Sequence, residues 1–561
     1  MVDLQRSSPF VEFAKVCESV RQTRSKIAKT DLVSNYFLSL KSDQDIRIAA
    51  TFLSGRIFPP GYEFGEANVG YSLIWSTFAE FMQMGAEDLS RYYMKHGDLG
   101  SAVEDALNSE RCSRSASTFL LFQSELSLAS VYSSFSELAR ASGKGSQQRR
   151  RQILTRLFAS AKDPIESKYL VRLLTGEMRI GLVEGLVEES IAKAFSKPLE
   201  EVRSARLVTA DIGLVAELAR HSRLSDAKIE LFRPTTFMLA DSGQNATDVY
   251  NKFQGKSMIS EFKYDGIRAQ IHAADGSVKI FSRNLEDVTD FFPEIKAAVE
   301  KLDLPGAIVD GEIIAFESGK PKSFQSLQRR LRKIERTGEE TPIKYLVFDL
   351  LYFEKPLIER PLSERSRTLH SLNLSGVLDF SEQRTVTSPE GIQQFFEESK
   401  SLGYEGLVVK DEASFYTPGR RGKNWVKLKK ELDTLDVVIV AAEYGHGKRA
   451  GVISDYTFAV RDGSELRTVG KAYSGLTDLE IKELTDLLKQ ITLKDYGYRR
   501  TVIPRVVLEV AFDAIQKSER HNSGFARRFP RIKRIRTDKS VEDIDTLEKV
   551  KQVYEAQKVK L

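Results

Sequence analysis

The sequence predicts a three-part chain: an all-α domain over residues 1–225, an α/β domain over 226–432 and a C-terminal β-barrel over 433–561. Two observations carry this. At roughly 150 residues per domain, 561 residues make three or four domains. The local texture also changes twice, near Pro234 and near Leu435. Up to about residue 225 apolar residues recur at three- and four-residue spacing, as in Phe10, Phe13, Ala14 and Cys17, which is helical periodicity. After Pro234 short β-branched and aromatic runs alternate with helical stretches: Met258–Phe262, Ala307–Phe316, Tyr345–Tyr352 and Gly406–Lys410. After Leu435 the chain is strand-rich, with runs at Asp436–Ala442, Tyr456–Val460, Leu466–Val469 and Val506–Phe512, as a barrel requires. The last stretch is helical again.

Composition narrows the function classes. Hydrophobic residues make up 41% and charged residues 29% of the chain, a balance suited to several cores. No apolar run approaches the ~18 residues of a membrane span, and the N-terminus lacks the apolar core of a signal peptide. The expectation is a cytoplasmic, intracellular protein with no membrane partner. Cys17 and Cys112 are too few for a four-cysteine zinc site and read as reduced thiols. The net charge is only +5, but it is unevenly spread. Residues 527–536 hold six basic residues and no acid, and so do residues 419–430. Two such runs, interleaved with apolar and aromatic residues, suit polyphosphate or a nucleic-acid backbone.

The chemistry concentrates in the middle domain. Gly255-Lys256-Ser257 imitates the end of a phosphate-binding loop, but Tyr250 occupies the place of its opening glycine, which excludes that reading. Lys263, in Glu261-Phe262-Lys263-Tyr264-Asp265-Gly266, ends an apolar run just before a turn signal. A lysine attacks only as the neutral amine, about one molecule in 2,500 at pH 7 for an ordinary lysine. Desolvation and neighbouring positive charge would lower its pKa and raise that fraction. Alone, Lys-x-Asp-Gly also fits a surface turn. Five clusters follow it: Ser282-Arg283-Asn284, Asp310-Gly311-Glu312, Phe348–Tyr352, Glu405–Lys410 and Trp425–Lys429. In the last, strand alternation puts Trp425, Lys427 and Lys429 on one face and Val426 and Leu428 on the other. Two lysines leaving a half-buried strand together need an anionic partner.

In this order the clusters resemble the motifs of the covalent nucleotidyltransferases, the superfamily of ligases and mRNA capping enzymes, and Arg536-Thr537-Asp538-Lys539 resembles their sixth motif. Three longer stretches, Gly176–Gly181, Tyr444–Gly451 and Gly524–Arg531, are similar to ATP-dependent DNA ligases of the archaeal and eukaryotic replicative type. The resemblance implies an N-terminal DNA-binding domain, an adenylation domain and an OB-fold. It implies ATP and Mg²⁺ as cofactors, and nick sealing through a lysyl-AMP and an adenylated DNA end, in replication, repair and recombination.

It also implies roles for particular residues. Lys263 is the nucleophile. Glu261 meets the adenine amino group and Phe348 stacks on the ring. Glu312 meets ribose or a metal. Arg268 and Arg283 contact ribose and phosphate. Arg421, Lys427 and Lys429 hold the α-phosphate, with Lys410 as a further phosphate contact. Glu405, with Glu312, holds Mg²⁺. Arg536 and Lys539 engage the departing pyrophosphate, and Arg527, Arg528 and Arg531 bind the DNA backbone. Nicked duplex DNA is the implied partner of a monomer. A sliding clamp is a further candidate partner, although Arg111–Phe122 offers Phe119 and Phe122 without the well-placed glutamine that clamp-binding members often carry. An RNA-joining or capping enzyme, an NAD-dependent ligase and a non-catalytic DNA scaffold are the rivals. The long helical domain opposes the first, the cysteine count the second and the intact motifs the third.

Overall fold

The computed structural model describes residues 7–62, 69–109, 125–253, 255–317, 341–419, 421–429, 433–445 and 451–559, with a few isolated positions between them. The clamp-peptide candidate Arg111–Phe122, Cys112, Glu431 and part of the Tyr444–Gly451 stretch lie outside the described residues. The chain divides into two compact units. One joins residues 1–203 and 211–224 with 432–555; the other joins 204–210 and 225–431 with 556–561.

In the first unit residues up to Arg220 form helices, as the apolar spacing predicts. Side chains cap many of them: Ser25, Ser42, Asp98 and Asp163 each accept a backbone N–H of the first turn. The core is lined by Phe10, Phe13, Cys17, Phe37, Phe52 and Phe135. Lys168 is buried there against Glu18 (2.9 Å) and Glu104 (2.7 Å), and Arg172 against Asp98 (3.0 Å), so the interior charges are paired.

The strand-rich part of this unit curls around one core that includes Val437, Tyr456, Phe458, Leu508, Phe512 and Ile532. Strand Asp433–Tyr444 is its spine. Its first half pairs with Val507–Phe512 and its second half with Arg499–Val502, while Ile453–Asp462 runs along its other side. Among the described residues the ladder stays open between Glu465–Ala472 and Arg531–Ile535, where the Ile532 N–H bonds the Ser474 carbonyl at 2.9 Å. The helix Leu547–Val559 seats Leu547, Val550 and Tyr554 in the same core. Among the described residues no helix is long and apolar enough to cross a membrane.

The second unit stacks two sheets. The first has the order Leu239–Gly243, Arg421–Lys429, Gly406–Asp411, Met258–Lys263, Gln383–Val386. The second is built on Ser277–Ser282, Ile267–Ala274, Ala307–Glu317 and Ile343–Phe353, all antiparallel. Val426 and Leu428 enter the core beneath the first sheet with Ile392 and Phe395 of a covering helix. Trp425, of opposite parity, joins Ile308, Leu351 and Tyr416 in a separate cluster. The alternation read from residues 425–429 is therefore real, and it fixes which face Lys427 and Lys429 share.

Candidate active site

Lys263 is the last residue of its strand. Its carbonyl accepts the Glu405 N–H at 3.0 Å, and Gly406 stands opposite it in the ladder. Gly406 has φ +145°, and a Cβ there would lie 2.1 Å from the Leu428 carbonyl oxygen. Only glycine lets the central strand sit between its two neighbours at this point. Glu405 thereby reaches both sides: its carboxylate pairs with the Lys263 ammonium and lies 3.4 Å from that of Lys429. Gly266 serves the other sheet. A Cβ on it would be 2.2 Å from the Ile313 carbonyl oxygen and 2.9 Å from Glu312 Cγ, so glycine admits the strand that brings Glu312 in.

The electrostatics correct one expectation. Burial pushes the Lys263 amine toward neutrality, but Glu405, Glu312 and Asp265 outweigh it and hold its pKa above that of an ordinary lysine. Positive neighbours do not depress it; carboxylates keep it charged. Burial pushes the Glu312 carboxyl up to about 7, against the pull of Lys263 and Arg268.

Glu261 lies two residues before Lys263 and so on the same strand face. It is buried, paired with Lys410 at 2.7 Å and bonded to the Gln383 amide at 2.8 Å. The Lys410 ammonium also lies over the rings of Phe348 (4.5 Å) and Trp425 (4.3 Å). Where the resemblance implies a phosphate contact for Lys410, the structure gives it Glu261 as counter-ion and leaves it 1% exposed. Phe348 is half-buried, its ring edge-on to Trp425 at 6.1 Å.

Arg268, implied at ribose and phosphate, is likewise paired with a carboxylate of the protein. Its fork grips Asp310 at 2.7 and 3.1 Å and donates to the Met238 carbonyl at 2.6 Å, beneath the rings of Phe237 and Phe348. Asp310 has no exposure and also accepts from Tyr416 at 2.7 Å. A carboxylate so buried requires a cation, which makes Arg268 part of the wall. Arg283 is exposed on the turn after Ser277–Ser282, and Lys427 is half-buried beside Lys429. The backbone of Arg421 pairs with Leu239, and its side chain lies outside the described set. Asp349 and Arg365, both fully buried, form a bidentate pair at 2.7 and 2.9 Å beneath the aromatic strand.

The barrel's basic run has three environments. Arg527 is the clearest correction to the DNA-contact expectation. It is 6% exposed, its guanidinium lies over Phe458 (4.7 Å) and Phe512 (5.4 Å), and among the described residues its three nitrogens lack hydrogen-bond partners. Burial pulls its pKa down to about 9. Arg528 is half-buried and Arg531 exposed. Arg536 binds Asp436 at 3.1 Å and Asp538 at 2.7 Å, and Lys539 binds Asp436 at 2.6 Å. The sequence marks Lys263, Glu261, Glu312 and Glu405 as site candidates; that Glu405 and Glu312 flank Lys263, and that Gln383, Asp310 and Asp436 are partners, comes from the structure.

A strand-end lysine flanked by carboxylates, with a buried glutamate and an aromatic ring further along the cleft, defines a covalent nucleotidyltransferase. The comparisons with known proteins agree. The family models "DNA ligase N terminus", "ATP dependent DNA ligase domain" and "ATP dependent DNA ligase C terminal region" match residues 9–192, 237–429 and 449–539. The chain is 42% identical to a probable DNA ligase of Koribacter versatilis, with 97% of this chain and 96% of that one covered. It is 38% identical to a DNA ligase of Methanothrix thermoacetophila, covering 98% and 99%. The solved structure described as "Pmar-Lig_PreS3" shares the fold at a TM-score of 0.56 and 18% identity, over 93% of this chain and 99% of that one. This chain belongs to the ATP-dependent DNA ligase family.

Proposed function

We propose that the chain seals nicks in duplex DNA in three steps: AMP passes from ATP to Lys263, then to the DNA 5′-phosphate, and leaves when the 3′-hydroxyl attacks. The observation that carries this reading is Glu405 shared between Lys263 and Lys429, at the end of a strand that also holds Glu261. Two cations stand at one carboxylate, and a phosphate of ATP takes that carboxylate's place. The transferred phosphoryl group offers the protein little covalent work, so positioning and positive charge supply the rate. Lys263 attacks as the neutral amine. Whatever draws Glu405 and Glu312 away from it releases its proton, because burial alone favours the neutral form.

Among the described residues no group of three His, Cys, Asp or Glu side chains could cage a metal. The carboxylates of Glu312 and Glu405 nonetheless feel each other across Lys263. Two carboxylates completed by phosphate oxygens and water fit Mg²⁺, which seldom takes an all-protein cage. Glu312 and Glu405 would hold it, and it would supply charge to the phosphate oxygens. Glu261 faces the adenine amino group and Phe348 the ring. Lys427, Lys429 and Arg421 hold the α-phosphate. Arg536 and Lys539, held by Asp436, engage pyrophosphate once that carboxylate is displaced. Arg528, Arg531 and the helical domain hold the duplex, largely without regard to sequence, and the chain acts as a monomer. Incubation with α-labelled ATP and Mg²⁺ should give a covalent label released by acid but not by alkali, which nicked DNA then removes. A protein labelled from NAD and not from ATP would overturn the assignment.

A further inference from the structure

Gln383 opens the edge strand Gln383–Val386 and stands directly opposite Glu261 in the ladder. Its side-chain amide bridges two groups. The nitrogen donates to Glu261 Oε1 at 2.8 Å, and the carbonyl oxygen accepts from Ser366 Oγ at 3.2 Å. The two ends of the amide are distinguishable here, because a carboxylate only accepts and must face the NH₂ group. Ser366 is itself placed by its helix, with its hydroxyl 3.3 Å from His370 Nδ1. Lys410 takes the other carboxylate oxygen at 2.7 Å. Each oxygen of Glu261 therefore has one donor fixed by the protein. The carboxylate plane is set, and the remaining lone pairs point in directions Gln383 and Lys410 dictate. Burial pushes the Glu261 carboxyl above the usual range, and these two donors oppose that push. Without them a protonated Glu261 would offer an O–H where the base should meet a lone pair.

We propose that Gln383 is a positioning residue for base selection: it keeps Glu261 an acceptor aimed at the 6-amino group of ATP, so the choice of a 6-amino over a 6-keto purine depends on the Gln383–Glu261 hydrogen bond. The inference rests on the reading of Glu261 as the group that meets the adenine amino group. A fixed acceptor facing a keto oxygen leaves both unpaired, which is the kind of mismatch that rejects a substrate strongly.

Inosine triphosphate replaces the 6-amino group of ATP by a keto oxygen and carries a proton on N1, so it presents Glu261 with an acceptor at position 6 where ATP presents a donor. Self-adenylation of the full chain should be measured with α-labelled ATP and inosine triphosphate for the wild type, Gln383→Leu, Gln383→Glu and Glu261→Gln, with thermal unfolding and nicked-DNA binding as checks on folding. For Gln383→Leu the ratio of the two rate-over-KM values should fall about tenfold, mostly through KM for ATP, which is the worth of one oriented bond to a charged group. For Gln383→Glu it should fall further, because two facing carboxyls must share a proton. A Gln383→Leu enzyme that slows both nucleotides equally, or keeps the wild-type ratio, overturns the proposal and leaves Gln383 a structural residue. If Glu261→Gln keeps the wild-type ratio, the reading of Glu261 itself fails. If Glu261→Gln collapses the ratio and Gln383→Leu does not, only the role of Gln383 fails.

Discussion

Arg268, half-buried, and Arg527, buried, both lie over aromatic rings, and they differ chiefly in their partners. Arg268 grips the carboxylate of Asp310 with both arms of its fork. Arg527 has Phe458 and Phe512 beside it and, among the described residues, no hydrogen-bond partner for any nitrogen, with the charge of Asp545 acting on it without a hydrogen bond. The same contrast separates their surroundings. In the cleft the buried or half-buried cations Lys263, Lys410 and Arg268 each face a specific carboxylate. In the barrel's basic run, Arg536 and Lys539 are paired, Arg531 stands in solvent and Arg527 is sealed in apolar surroundings. A partly exposed cation such as Lys263, whose carboxylate is shared with Lys429, can exchange it for a phosphate at small net cost. A cation without one is held by packing, at a cost in stability that the rings offset only in part. Basic residues that look alike in sequence thus divide into exchangeable charges and a trapped one.

The comparison can be broken at several points, the largest effect first. Lys263→Ala should reduce self-adenylation at least about 10³-fold, the loss expected when a nucleophile is removed. Its affinity for nicked DNA should stay within about twofold, since one of many basic residues is lost. Residual labelling at a wild-type rate would remove Lys263 from its role. Asp310→Asn should destabilise the adenylation unit by about 3 kcal/mol, because Arg268 would be left buried without its carboxylate. A urea midpoint unchanged from wild type would show that the rings alone hold Arg268. Arg527→Leu should do the opposite, raising stability by about 1 kcal/mol as an unpaired guanidinium gives way to a hydrocarbon of similar bulk. A loss of stability, or weaker DNA binding than wild type, would mean that Arg527 has a partner in another state. The smallest effect belongs to Arg531→Ala: affinity for nicked DNA should drop about threefold and the slope of log K against log salt should lessen by roughly 0.9. An unchanged slope would place the phosphate contacts elsewhere.

Much of this was legible in the sequence, and the limits have physical causes. Apolar periodicity separates the helical segment from the strands, because a strand repeats every two residues and a helix every 3.6. The alternation at Trp425–Lys429 assigned faces correctly. Motif order located Lys263, Glu405 and Glu312. Alternation tells which way a side chain points and never what it meets. Nothing in the pattern around Lys410 shows that it lies against two rings and pairs with Glu261, a residue 149 positions earlier on the neighbouring strand. Gln383 carries no signal at all before Gln383–Val386 is known to be the edge strand beside Met258–Lys263. Arg527 and Phe529 invert the usual expectation. The arginine is inside, while the phenylalanine, at φ +48°, is 67% exposed next to the Arg528 guanidinium. A basic run suggests a surface, but a backbone kink decided which of its members reached it.

The seat of the helix Leu547–Val559 in the barrel core has a consequence for biosynthesis. Strands 433–535 are made first, yet the pocket they form is filled by Leu547, Val550 and Tyr554, close to the end of the chain. The hydrophobic clusters of the adenylation unit draw only on residues between Val208 and Leu428, so they can close while the barrel is still being synthesised. The barrel must wait with apolar surface uncovered until the ribosome has delivered its closing helix. Premature termination after Ile535 would therefore leave an unfinished core open to proteases and self-association, so Arg536 and Lys539 are better probed one side chain at a time than by shortening the protein.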